Sequence, residues 1–138
     1  MVVQKGEPFF GYSETIEAAV PLVAIGSATE VAVFAAPFRL RLVKLSIVPN
    51  TAISGANNNY FTLGFYNKGS SGAVSNTIAS KAFTLAVDAG QFDETDLGNI
   101  SAQWRDLKEG DVVSFFKAET GAGLEMPELI AQVRYIKL

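Results

Sequence analysis

Short runs in which apolar and polar residues alternate, separated by clusters of Gly, Asn and Pro, recur from one end of the chain to the other. No apolar stripe repeats at helical spacing over ten or more residues, so the pattern predicts strands throughout. In residues 60–66, Phe61, Leu63 and Phe65 share one face, and Tyr60, Thr62 and Tyr66 share the other. Gly64 falls on the tyrosine face, where a missing side chain lets a neighbouring chain or ring approach closely. In residues 129–138, Leu129, Ala131, Val133 and Tyr135 oppose Ile130, Gln132, Arg134 and Ile136. Residues 29–36 alternate around Val31 and Val33 and are closed by Pro37. Residues 15–24 are also β-capable, but Pro21 cannot donate a ladder hydrogen bond, which points to an edge strand or a bulge.

Two runs break simple alternation, and both breaks carry information. In residues 38–48, Leu40 and Leu42 share one parity while Leu45 and Ile47 share the other. Such a switch requires a β-bulge near Val43 and Lys44, or burial of both faces. In residues 112–116, Val113 and Phe115 face one side and Val112 and Phe116 the other, so both faces are apolar, as in a central strand or at a subunit contact. Residues 73–87 form a weaker strand region whose best alternation is Phe83, Leu85 and Val87. The connections are turn-forming: 50–59, 67–72 and 120–128 are rich in Gly, Asn and Ser or hold Gly and Pro. Residues 91–99 carry Asp93, Glu94 and Asp96 and read as a loop or one helical turn.

Residues 1–15 contain Gly6, Pro8 and Gly11 among Phe9, Phe10 and Tyr12, which suits an irregular arm. Those aromatics pack either on the body of the same domain or on a neighbouring subunit. Residues 16–138 then form one domain of seven to eight short strands: an all-β, antiparallel β-sandwich, jelly-roll-like. The expected core is Phe61, Leu63, Phe65, Phe83, Leu85, Val113, Phe115 and Val133. Each fully buried Phe or Leu contributes about 1.5–3 kcal/mol, so neither disulfides nor metals are needed to hold the fold.

Composition narrows the function classes. Among 138 residues there is no Cys and no His, which removes disulfides, zinc-thiolate sites, cysteine nucleophiles and the commonest general base. Ser54 and Ser101 therefore have no histidine to activate them, and no phosphate-cradling glycine loop leads from a strand into a helix. The loop at 50–59 holds no carboxylate for calcium, and Asp93, Glu94 and Asp96 read as a solvated loop, so neither metal nor cofactor is expected. A net charge of −3 and a pI near 4.9 argue against nucleic acid as a partner. The basic group Arg39, Arg41 and Lys44 reads as a solvated strand face. No stretch of some twenty apolar residues and no signal-peptide core is present, which predicts a non-membrane protein made in a cytoplasm. Charged residues make up 18%, below the roughly 25% usual for soluble domains, so part of the surface is expected to be hidden against a partner.

The succession VAVFAAPFRLRLVKLSIVPNTAISGANNNYFTLGFYNKGSSG, then LKEGDVVSF and GAGLEMP, resembles the small all-β accessory proteins of tailed-bacteriophage virions, especially those that decorate the capsid exterior. The resemblance covers most of residues 28–138 and lies in pattern rather than in a site motif. It implies a structural protein, not an enzyme, that binds the major capsid protein on the outer surface of an assembled shell, commonly as a trimer at local threefold points, and stabilises it. Phe9, Phe10 and Tyr12 of the arm, with Val112 and Phe116 of the two-faced strand, are then the candidate capsid or subunit contacts. Two other classes compete. One is a head fibre, tail or baseplate component; the other is a carbohydrate-binding module using Trp104, Tyr60 or Tyr66 as a stacking platform.

Overall fold

The computed structural model of the chain describes residues 13–138, and these residues contain nine strands and no helix. The strands are β1 (Glu14–Val20), β2 (Thr29–Ala35), β3 (Leu40–Pro49), β4 (Tyr60–Asn67), β5 (Asn76–Ala82), β6 (Thr95–Asp96), β7 (Asp106–Leu107), β8 (Val112–Thr120) and β9 (Leu129–Lys137). Seven are full strands; β6 and β7 have two residues each. One sheet runs β1-β9-β3, with β6 and β7 sharing the outer edge of β3; the other runs β2-β8-β4-β5. Every pairing is antiparallel. The chain changes sheet at each connection except β4 to β5 and β6 to β7, which gives the two interlocked Greek keys of a jelly roll. β1 is an edge strand, one of the two readings that Pro21 allowed, and it stops before that proline instead of running on to residue 24. It opens at Glu14, inside the stretch read as an arm, because Thr15 pairs with Arg134. Phe9, Phe10 and Tyr12 lie outside the described residues.

The parity switch in β3 is a bulge. Leu42 pairs with Tyr135 and Lys44 with Arg134, leaving Val43 unpaired and 41% exposed. The extra residue returns Leu45 and Ile47 to the face already occupied by Leu40 and Leu42, and all four are buried in the core. β4 and β9 alternate as their sequences require, and the core closes on edge-on aromatic pairs, Phe61 with Phe83 at 5.3 Å and Phe65 with Phe115 at 5.5 Å. On the outer face of β8, Phe116 is covered from within the chain. Its ring stacks on Tyr66 at 4.1 Å, over Gly64, where a Cβ would lie 2.7 Å from the ring.

Two expectations fail. Leu85 is not core: β5 ends at Ala82, Phe83 N–H donates to Phe61 O at 2.9 Å, and Val87 N–H then closes a turn on Thr84 O, which leaves Leu85 66% exposed. Alternation alone could not reveal that the strand had ended. The acidic segment is neither pure loop nor helical turn, since Thr95 and Asp96 pair with Ile47 and Ser46 as β6. A third feature was unforeseen. Lys117 follows Val113 and Phe115 on the core-facing parity of β8, and its side chain is wholly buried.

Candidate interaction surfaces

Among the described residues no three Asp or Glu side chains converge as a metal site. The acidic segment is used piecemeal: Glu94 accepts from the Ser46 hydroxyl at 2.7 Å and faces Lys44 at 3.4 Å, while Asp96 accepts from Gly98 N–H at 3.1 Å. The Glu94 carboxyl is held below its ordinary value chiefly by that Ser46 hydrogen bond, with Lys44 and Arg134 adding to it against partial burial.

The outer face of the β2-β8-β4-β5 sheet carries Val112, half-buried, and Phe116, buried. Beside them, Glu30 accepts from the Ser114 hydroxyl at 2.6 Å and pairs with Lys68 at 3.0 Å; Lys68 also donates to Ser75 at 2.6 Å. The Ser114 hydrogen bond is the main reason the Glu30 carboxyl titrates below its ordinary value. A shallow depression of about 470 Å³ lies between Glu30, Lys68 and residues 70–72. Tyr60 and Tyr66 stand six residues apart along β4, about 20 Å at the rise of a strand, and Trp104 packs partly against the core. These three rings therefore do not form one platform.

A different surface is built at one end of the sandwich. Because Leu129 pairs with both Val20 and Pro49, the β1–β2, β3–β4 and β8–β9 connections emerge together, and the bridges Val23–Met126 and Ile53–Ala89 bring in the β5–β6 connection. Leu22 (55%), Ile25 (59%), Leu85 (66%) and Phe92 (70%) project from these loops, four of the seven strongly exposed large apolar side chains among the described residues. The loops are fixed rather than loose. Lys117 Nζ donates to Ala24 O at 3.1 Å, to Ser27 O at 2.8 Å and to Glu119, whose other oxygen accepts from Leu124 N–H at 3.1 Å. Phe92 N–H donates to Pro49 O at 2.8 Å, and the Gln91 side chain to Asn50 O at 3.0 Å.

Phe92 (φ 60°) and Ala86 (φ 67°) are the two non-glycine residues with left-handed backbone among those described, and both lie in the β5–β6 loop. Such conformations cost of order 1–3 kcal/mol each and persist only where surrounding contacts impose them. Here the effect is to hold a phenylalanine outward. The charge of this end is one-sided: Asp88, Asp93, Glu94, Glu125 and Glu128 lie in the four loops, with no Lys or Arg. The opposite end is mixed, carrying Arg39, Lys68, Arg105, Lys108 and Lys137 together with Glu14, Asp106, Glu109 and Asp111. The loop end therefore combines fixed, exposed apolar side chains with acidic loops. None of the four anchors is a residue that sequence reasoning selected. Leu85 was assigned to the core, and the loops converge only once the strand order is known.

No protein-family model matches the chain, and no curated protein matches it in sequence. Among solved structures it is similar to a chain in the structure of infectious bursal disease virus, Gx strain, with a TM-score of 0.44 and 10% identity over 90% of this chain. It spans 32% of that viral chain.

Proposed function

We propose that this protein is a structural component of a virion that seats its loop end on the outer surface of an assembled capsid, contacts the major capsid protein and stabilises the shell, three copies to a local threefold point. The reading rests on one observation: two of the four loops at one end, locked by backbone hydrogen bonds to the others and by a buried Lys117, hold Leu22, Ile25, Leu85 and Phe92 outward. A jelly roll alone does not assign a role, since viral shells, lectins and cupins all use it. Surface that is apolar, fixed and strained requires a further reason, and a partner supplies it.

The energetics favour an array over a single contact. Burying all four side chains gives about 6–12 kcal/mol, from which the roughly 4–15 kcal/mol cost of immobilising the protein is subtracted, so one copy alone falls short of the roughly 8 kcal/mol that a micromolar complex needs. Copies that also touch one another gain by effective concentration. Binding the assembled shell and not its separated subunits then stabilises the shell by mass action. Mixing the protein with undecorated capsids tests this: saturable co-sedimentation at micromolar concentration and a raised capsid disruption temperature are expected. If neither occurs the proposal fails. A solution mass of three chains supports a preformed trimer, and a strict monomer rejects one.

A further inference from the structure

The β5–β6 loop is built from two β-turns that each put a side chain where glycine is the default. Val87 N–H donates to Thr84 O at 2.9 Å and Asp93 N–H to Gly90 O at 3.2 Å, closing turns at residues 84–87 and 90–93. In each turn the third residue alone has positive φ, 67° at Ala86 and 60° at Phe92, which is the type II arrangement. Glycine is favoured at that position because a Cβ is strained in left-handed backbone. Phe92 is doubly unfavourable there, since its backbone is left-handed and its side chain is 70% exposed.

The neighbouring β3–β4 connection braces this loop along its length. Between the two turns, Ile53 and Ala89 exchange backbone hydrogen bonds at 2.8 and 2.9 Å. Ala56 N–H donates to Phe83 O at 3.2 Å, and Gly55 N–H to the Asp88 carboxylate at 2.8 Å. A Cβ at Gly55 would run into the Thr84 carbonyl, so the close approach of the two connections depends on a glycine there. Phe92 N–H is held by Pro49 O, and the Gln91 side chain by Asn50 O. The backbone that carries the Phe92 ring is thus set before any partner arrives, which lowers the ordering cost of binding.

We infer, resting on the reading that the loop end meets a shell, that Phe92 is the residue that selects the partner, and that it enters a closed apolar socket in the capsid surface, sized for one benzene ring. No other aromatic ring packs on Phe92 among the described residues, so a concavity in the partner is what can cover both of its faces. Aromatic anchors that dominate interfaces sit in such desolvated pockets, ringed by contacts that exclude water, the part that Leu22, Ile25 and Leu85 take here. The rim of the socket is cationic. Asp93 follows Phe92, Asp88, Glu125 and Glu128 lie in the loops of the same end, and none of the four forms an ion pair among the described residues.

The test measures the affinity of single-residue variants for undecorated capsids beside their thermal unfolding. Phe92→Gly should bind at least about thirtyfold more weakly, while its thermal midpoint is no lower than the parent's because glycine relieves the left-handed backbone. A residue that merely held the loop would lose stability and binding together. Phe92→Trp should bind at least about tenfold more weakly, because a socket fitted to a benzene ring does not admit an indole, whereas Leu85→Ala should lose less than about tenfold. Asp93→Lys should lose at least about threefold, an effect that shrinks at high salt. If the parent binds and Phe92→Gly stays within about threefold of it, or unfolds at a lower temperature, this inference is overturned and capsid binding stands. Equal or tighter binding by Phe92→Trp means a flat patch and overturns the socket, as undiminished binding by Asp93→Lys overturns its cationic rim. A parent that binds no capsid overturns the proposed function, and this inference with it.

Discussion

Replacing Lys117 by methionine removes a charge while nearly conserving volume, which isolates what the ammonium does. All three of its protons are in use, on Ala24 O, Ser27 O and Glu119, and its side chain has no contact with solvent. Lys117→Met leaves two carbonyls and a carboxylate without their donor inside the sandwich. Breaking a buried pair by removing one partner costs about 3–5 kcal/mol, a large share of the roughly 5–15 kcal/mol that holds a domain together. The thermal midpoint is then expected to fall by roughly 10–20 °C. Adding Glu119→Gln removes the stranded charge and should recover at least about 1.5 kcal/mol, a coupling that a double-mutant cycle measures directly. Urea unfolding followed by Trp104 fluorescence supplies all four stabilities. If Lys117→Met lies within about 1 kcal/mol of the parent, Lys117 does not anchor the β1–β2 loop, and the fixed presentation of Leu22 and Ile25 loses its basis.

Other expectations follow from single features. Deleting Val43 should be tolerated within about 2 kcal/mol, because removal of a bulge residue leaves Leu40, Leu42, Leu45 and Ile47 in strict alternation, whereas deleting Ser46 should abolish folding by circular dichroism. Gly64→Ala places a Cβ 2.5 Å from Ala79 O and 2.7 Å from the Phe116 ring; a loss of about 1–3 kcal/mol in urea is expected, only partly restored by Phe116→Ala because the carbonyl clash remains. Glu30, Glu94 and Asp106 titrate below their ordinary values of 4.5, 4.5 and 3.8, through Ser114, Ser46 and Arg41 respectively. Their contribution is complete above those values and is lost as pH falls through the lower folded ones. The urea midpoint should therefore drop on acidification below about pH 4.5 and drop less steeply in Ser114→Ala; an unchanged slope refutes the assignment.

Much of the fold was legible because side-chain period is a local property. The parity of four residues narrowed β3 to a bulge or two buried faces, Pro21 narrowed β1 to an edge or a bulge, and the place of Gly64 on the tyrosine face pointed to a close approach there. Leu85 was misread because Phe83, Leu85 and Val87 alternate whether or not the strand continues, and only the Phe83 hydrogen bond to β4 and the Thr84 turn end it. β6 and β7 are too short to have a period. Lys117 was within reach, since it shares parity with Val113 and Phe115, yet a lysine on a core face makes sense only once Ala24, Ser27 and Glu119 converge on it. The loop end was hidden for the same reason: residues 22, 25, 85 and 92 become neighbours only through the jelly-roll strand order.

The decisive comparison is shell binding by two double variants, each replacing two apolar side chains by serine. Leu85→Ser with Phe92→Ser alters the loop end, and Val74→Ser with Val112→Ser alters residues of the opposite half. Burial of each loop anchor contributes about 1.5–3 kcal/mol, so co-sedimentation with undecorated capsids should weaken at least a hundredfold in the first variant and less than threefold in the second. Equal binding by the parent and the loop-end variant, both folded by circular dichroism, contradicts the proposal that this end meets the capsid.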